Sequence, residues 1–110
     1  MSHRLEKINK LIKRQVAEII TRELDLKPGV FVTVAKVDTT PDLRYTRIFV
    51  SIFPEREANY VMETLKKEMY RLQGVLNKKL STKPLPRIEF QLDKTESKAD
   101  EVEKILIELE

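Results

Sequence analysis

Three sets of basic side chains stand out in this sequence, and their spacing points to one kind of chemistry. Lys7, Lys10 and Arg14 recur at intervals of three and four, so on a helix turning ~100° per residue they share one narrow sector. Lys78, Lys79, Lys83 and Arg87 crowd a second stretch, and Arg44 and Arg47 flank Tyr45 in a third. Lys and Arg in such sets neutralise the phosphates of a polyanion. Each neutralised phosphate releases condensed counterions, which makes this mode of binding steeply salt-dependent. Tyr45 has two open roles, stacking on a base or packing across a strand pair, and a basic helix face can equally be plain solvated surface.

Other chemistries are excluded by residue counts. The 110 residues contain no cysteine, a single histidine (His3) and two glycines, Gly29 and Gly74, far apart in sequence. Thiolate and multi-histidine metal sites, a histidine-based triad and glycine-rich phosphate loops therefore have no residues to build them. Acid pairs exist, Asp38 with Asp42 and Asp100 with Glu101, but they fall in turns or on a solvated helix, without the burial that tunes a general acid or base. Ser51 has no visible base. The expectation is a non-catalytic protein that needs neither metal nor cofactor.

Net charge is modest, 21 Lys and Arg against 18 Asp and Glu, or +3. Its distribution is more informative: residues 1–17 carry a local +4, residues 66–87 a local +6 and residues 94–110 a local −3. Such asymmetry suits a polyanionic partner such as nucleic acid. No apolar run approaches the ~20 residues that span a bilayer, and the N-terminus reads as helix and not as signal peptide. With no cysteine, this predicts a cytoplasmic protein without a membrane partner. The length fits one domain over residues 1–110.

The elements that must position these side chains follow from periodicity. Leu5, Ile8, Ile12, Val16, Ile19 and Ile20 form the apolar stripe of a first helix, with Ser2 placed to cap it and Pro28-Gly29 to stop it. Two runs rich in β-branched residues, Val30 to Val37 and Tyr45 to Phe53, read as a hairpin joined at Thr40-Pro41-Asp42-Leu43, with proline where a type I turn favours it. Thr46, Ile48, Val50 and Ile52 share the face expected to meet the helices. Tyr45, Arg47, Phe49, Ser51 and Phe53 share the other. Ala58, Val61, Met62, Leu65, Met69 and Leu72 mark a second helix. The pattern continues to Leu80 across Gly74, where glycine's helix cost predicts a bend. Ile88, Phe90 and Leu92 alternate as a third strand, and Ala99, Val102, Ile105, Leu106 and Leu109 predict a closing helix. The order αββααβα gives a two-layer α+β domain, a three-stranded sheet with helices on one face.

This order of elements resembles the type II KH fold, and the local motifs resemble bacterial ribosome-binding factor A. They are Arg4-Leu5-Glu6-Lys7-Ile8 with Ile12, Val16, Ile19 and Ile20; Val32-Thr33-Val34-Ala35-Lys36-Val37; Thr40-Pro41-Asp42-Leu43-Arg44-Tyr45-Thr46-Arg47-Ile48-Phe49-Val50-Ser51; and Gly74, Lys83, Pro86, Phe90 and Asp93 at family positions. The resemblance spans nearly the whole chain. It implies a monomeric assembly factor that binds the free or immature 30S subunit and 16S rRNA and assists late processing and maturation of that RNA. It also implies a helix-kink-helix in place of the GxxG clamp of other KH domains, centred here on Leu72, Gln73 and Gly74. Leu72 and Gln73 depart from the small residues usual there. Asn77 stands where many relatives are basic, with Lys78 and Lys79 beside it. The contacts expected for RNA are Lys7, Lys10, Arg14, Arg44, Arg47, Lys78, Lys79, Lys83 and Arg87. Two other readings remain open: a generic KH-like RNA-binding module, and a protein-interaction domain using the acidic stretch Glu101 to Glu110.

Overall fold

The structure is a computed structural model describing residues 3–81 and 85–94. The expected Ser2 cap, Lys83 and the closing helix over 99–109 lie outside the described residues. Helix α1 (His3–Glu23) is followed by strands β1 (Phe31–Thr39) and β2 (Tyr45–Phe53), a short 3-10 turn (Glu55–Glu57), helices α2 (Ala58–Lys67) and α3 (Met69–Lys79), and strand β3 (Arg87–Leu92). The sheet order is β1-β2-β3, with β1 antiparallel and β3 parallel to β2. Helix α1 packs on β1 and α3, and α2 packs on β3 and β2.

The apolar stripe of α1 buries Ile8, Ile12, Val16, Ile19 and Ile20. After the helix, Val30 N–H donates to the Lys27 carbonyl at 3.2 Å, and Gly29 within this turn takes φ +84°, a conformation open to glycine and costly for other residues. In β2, Thr46, Ile48, Val50 and Ile52 are buried, as their alternation predicts. β1 does not alternate cleanly. Val34 pairs with Val50 but Lys36 with Phe49, so Ala35 is an extra residue in the ladder. This bulge restores Val37 and Thr39 to the helix side, where both are buried. Thr39 and Thr46 satisfy one another there through a 2.9 Å hydroxyl contact.

The bend does not fall at Gly74. α3 runs unbroken through it, and the interruption lies six residues earlier at Glu68, with φ −94° and ψ 6°. The apolar register continues across this joint, from Val61 and Leu65 to Leu72 and Leu76, all buried. Tertiary docking sets the break: α2 packs on β3, whereas α3 packs on α1. Arg71 fixes the start of α3, pairing with Glu68 at 3.0 Å and Glu23 at 3.2 Å and donating to the Glu23 carbonyl at 2.7 Å. The glycine's propensity, worth roughly 1 kcal/mol, is outweighed. Leu72 is a core residue, not a kink residue.

Candidate nucleic-acid interface

The hairpin loop is held by its own polar side chains. Leu43 N–H donates to the Thr40 carbonyl at 2.8 Å and Thr40 N–H to the Tyr45 carbonyl at 2.9 Å, closing the turn expected from Pro41. The Thr40 hydroxyl donates to Asp42 Oδ1 at 2.6 Å and accepts from Tyr45 N–H at 3.1 Å, and the same Asp42 oxygen accepts from Arg44 N–H at 3.1 Å. These donors, the Thr40 hydroxyl first and the Arg44 N–H second, hold the Asp42 carboxyl below its ordinary range. Leu43 sits at φ +61° with its side chain buried. A left-handed conformation costs a residue with a Cβ roughly 1–2 kcal/mol, and burial of an apolar side chain returns a comparable amount. With Leu43 turned inward, Arg44 and Tyr45 stand exposed beside it.

Strand β3 completes this end of the molecule. Arg87 N–H donates to the Arg44 carbonyl at 2.8 Å, and Tyr45 and Arg87 are register partners. Tyr45, Arg47 and Arg87 line one cleft of about 640 Å³ whose walls include Pro41, Met69 and the two acids Asp38 and Glu89. Arg44, Arg47 and Arg87, read from separate parts of the sequence, are thus brought to one end of the sheet with Tyr45 among them.

The start of β3 is fixed from α3 by Gln73. Its Oε1 accepts Ile88 N–H at 2.8 Å, and its Nε2 donates to the Pro86 carbonyl at 2.9 Å and to Asn77 Oδ1 at 2.9 Å. A small residue here could not reach; the glutamine side chain acts as a substitute rung of sheet, on either side of Arg87. Asn77 is occupied by the same amide. A Cβ built at Gly74 would meet nothing within 4 Å. One turn before Gly74 stands Tyr70, 94% exposed, and one turn after it Lys78, exposed like its neighbour Lys79. Tyr70 escaped the sequence reading, although an aromatic lying off the apolar stripe beside basic residues is the signal that marks it.

On α1 the side chains of Lys10 and Arg14, joined by Lys13, wall a groove of about 420 Å³ whose other side is Val32 to Val34 of edge strand β1. Lys7 is exposed on the same helix, outside that groove. The α1, α3 and hairpin clusters are therefore carried by different elements, and α3 touches β3 beside Arg87 through Gln73. Among the described residues no group of three or more His, Cys, Asp or Glu is placed to hold a metal ion, and no helix is long and apolar enough to cross a membrane.

A mixed three-stranded sheet with its described helices on one side and exposed cations at its hairpin end defines a small α+β domain. A sequence profile of the family described as "Ribosome-binding factor A" matches residues 4–106, and the chain belongs to that family. It is 31% identical over 111 residues to ribosome-binding factor A of Thermomicrobium roseum, covering 99% of this chain and 85% of that one. Among solved structures it is similar to a solution structure of a putative ribosome-binding factor A from Thermotoga maritima, with a TM-score of 0.71, 26% identity and coverage of 86% of this chain and 92% of that one. It is similar also to a homology model of Thermus thermophilus ribosome-binding factor A fitted into a cryo-EM map of a complex with the 30S subunit, with a TM-score of 0.62, 29% identity and coverage of 77% and 90%.

Proposed function

We propose that this chain is a non-catalytic assembly factor acting as a single domain, a monomer in the cytoplasm with no cofactor or membrane partner. It binds the free or immature 30S subunit through 16S rRNA and assists the late processing and maturation of that RNA. Membership of the family supports the ribosomal part of this reading, and the relative fitted into a 30S complex supports the small subunit as the partner. The observation that carries RNA as the contacted component is the placement of Tyr45, Arg47 and Arg87 in one cleft, with Arg44 exposed next to Tyr45 and its carbonyl bonded to Arg87 N–H. The hairpin hydrogen bonds and the Gln73 amide hold the backbone beneath them. Phosphates would meet these arginines and, from other sides, Lys7, Lys10 and Arg14 on α1 and Lys78 and Lys79 on α3, with Lys83 in the adjoining segment. Gly74, without a Cβ and facing open space, leaves room for a sugar-phosphate backbone to approach α3 between Tyr70 and Lys78.

Co-sedimentation with purified ribosomal particles over a salt series tests the reading. Binding to free small subunits is expected to exceed binding to translating ribosomes and to fall steeply with salt. Equal binding to both particles, or none at low salt, overturns it. A pull-down from lysate with and without ribonuclease separates RNA from a protein partner, since loss of ribosomal proteins on digestion is expected only for RNA.

A further inference from the structure

The face of the sheet opposite the helices is covered by no described element. Phe31 and Phe53 are direct register partners on it, 63% and 68% exposed, and Tyr45 at the other end of β2 is 56% exposed. Between them lies Phe49, half-buried, with Lys36 Nζ 5.5 Å from its ring centroid. On β2 the rings recur every fourth residue, roughly 13 Å apart at a strand's rise of ~3.3 Å per residue. Two of them stand beside a cation across the ladder, Phe49 opposite Lys36 and Tyr45 opposite Arg87. Arg47 occupies the row between, flanked by Asp38 and Glu89.

We propose that this sheet face, which no described element covers, is a second RNA contact, a stacking platform for unpaired bases of single-stranded RNA. The proposal rests on the reading of the chain as RNA-binding and adds to it a surface that the phosphate-directed clusters do not supply. Phe31, Phe53 and Tyr45 are the exposed rings of this face, whereas the Phe49 ring is already faced by Lys36 Nζ; aromatic rings exposed on a sheet are how sheet-based single-strand binders stack bases in general. Tyr45 and Arg87 also belong to the phosphate-directed cleft, so the part of the face proper to stacking alone is the Phe31–Phe53 pair at its other end. A duplex fits poorly, because its bases already stack on one another. A second copy of the chain is the alternative occupant, which the oligomeric state by sedimentation velocity separates from RNA. Asp38 and Glu89 offset much of the positive charge on this face. Binding here is therefore carried by stacking and depends weakly on salt, unlike binding at the helix clusters.

The test uses the full chain with a fluorescein-labelled, mixed-sequence single-stranded RNA and a hairpin duplex of the same composition, each titrated by fluorescence anisotropy over a potassium chloride series. Phe31→Ala with Phe53→Ala is expected to weaken single-strand binding about tenfold or more, to leave the salt slope unchanged and to spare the duplex. Phe31→Leu with Phe53→Leu, which keeps apolar bulk without an aromatic face, is expected to weaken it similarly, and circular dichroism is expected to show the wild-type fold for both. Wild-type affinity in either double variant overturns the proposal, as does a wild-type dimer that becomes monomeric in the Ala variant by sedimentation velocity. If the wild type fails to bind single strands yet still co-sediments with small subunits, the platform is overturned and the assembly-factor reading stands. If it binds neither, both fail.

Discussion

The Oε1 of Gln73 accepts the backbone N–H of Ile88 at 2.8 Å, so a side chain on α3 closes a hydrogen bond that sheet pairing would otherwise have to supply. The same amide donates to the Pro86 carbonyl at 2.9 Å. Pro86 and Ile88 are both buried, and Arg87 between them is held exposed as a consequence.

Gln73→Ala removes both partners at once and leaves a donor and an acceptor unsatisfied. An unpaired buried polar group costs about 1–3 kcal/mol, so a loss of about 2 kcal/mol or more is expected in urea denaturation. Gln73→Glu keeps an acceptor for Ile88 but sets an oxygen against the Pro86 carbonyl, so it recovers only part of the loss. Both variants are expected to weaken small-subunit binding, because Arg87 is no longer held beside Arg44.

The two glycines should respond in opposite senses to the same substitution. Gly74 lies in helical backbone and its added Cβ would meet nothing within 4 Å, so Gly74→Ala is expected to stabilise the fold by about 0.5–1 kcal/mol. Gly29, at φ +84°, has open space too, but alanine there is strained by about 1 kcal/mol, and melting temperature is expected to fall. If α3 approaches an RNA backbone at Gly74, the alanine variant is more stable yet binds small subunits less well. A gain in melting temperature with undiminished binding would remove Gly74 from the interface.

The elements legible in the sequence were those written in period. The stripe of α1 from Ile8 to Ile20, the alternation of β2 and the Pro41 turn each follow from local spacing, and they fix the layers of the fold. The position of the helix joint was not legible, because the stripe from Val61 to Leu76 runs through Glu68 without a break. The joint is set by what α2 and α3 pack against, a long-range property. Leu43 was illegible for a related reason: nothing local favours leucine at φ +61°, and only the core it fills explains it. At the site, the basic residue types were readable one by one. That Arg87 joins Tyr45 and Arg47 depends on β3 joining β2 in parallel, and that Gln73 holds β3 depends on the packing of α3.

Acid should act on the hairpin through Asp42. The Thr40 hydroxyl and the Arg44 N–H favour its ionised form, so its carboxyl titrates below the ordinary value in the folded protein. A group whose pKa is depressed by folding stabilises the fold above its unfolded pKa of about 3.9 and loses that contribution as pH falls through the folded pKa. Thermal melts from neutral pH down to about 2 are therefore expected to fall more steeply for the wild type than for Asp42→Asn. An acid limb of equal steepness in the two proteins would show that the contacts to Thr40 and Arg44 N–H add nothing to folding.

Charge reversal should reveal which cations meet phosphate, because the salt slope of binding counts neutralised phosphates separately from other contributions to affinity. Each phosphate contact adds about 0.7 to the slope of log affinity against log salt for a single strand. Arg44→Glu with Arg87→Glu is expected to lower both small-subunit affinity and that slope, by about one unit or more. Lys78→Glu with Lys79→Glu is expected to do the same if the end of α3 also meets RNA. All four residues are exposed, so denaturation midpoints should change little and a weaker complex would not reflect a weaker fold. Arg71→Ala is the control that separates the two causes. Its guanidinium is engaged by Glu23 and Glu68 within the protein, so it is expected to lower the midpoint modestly while leaving the salt slope at the wild-type value. A slope unchanged in both reversal variants would place the phosphates on the α1 cluster of Lys7, Lys10 and Arg14 instead, where the same measurement with Lys10→Glu and Arg14→Glu decides.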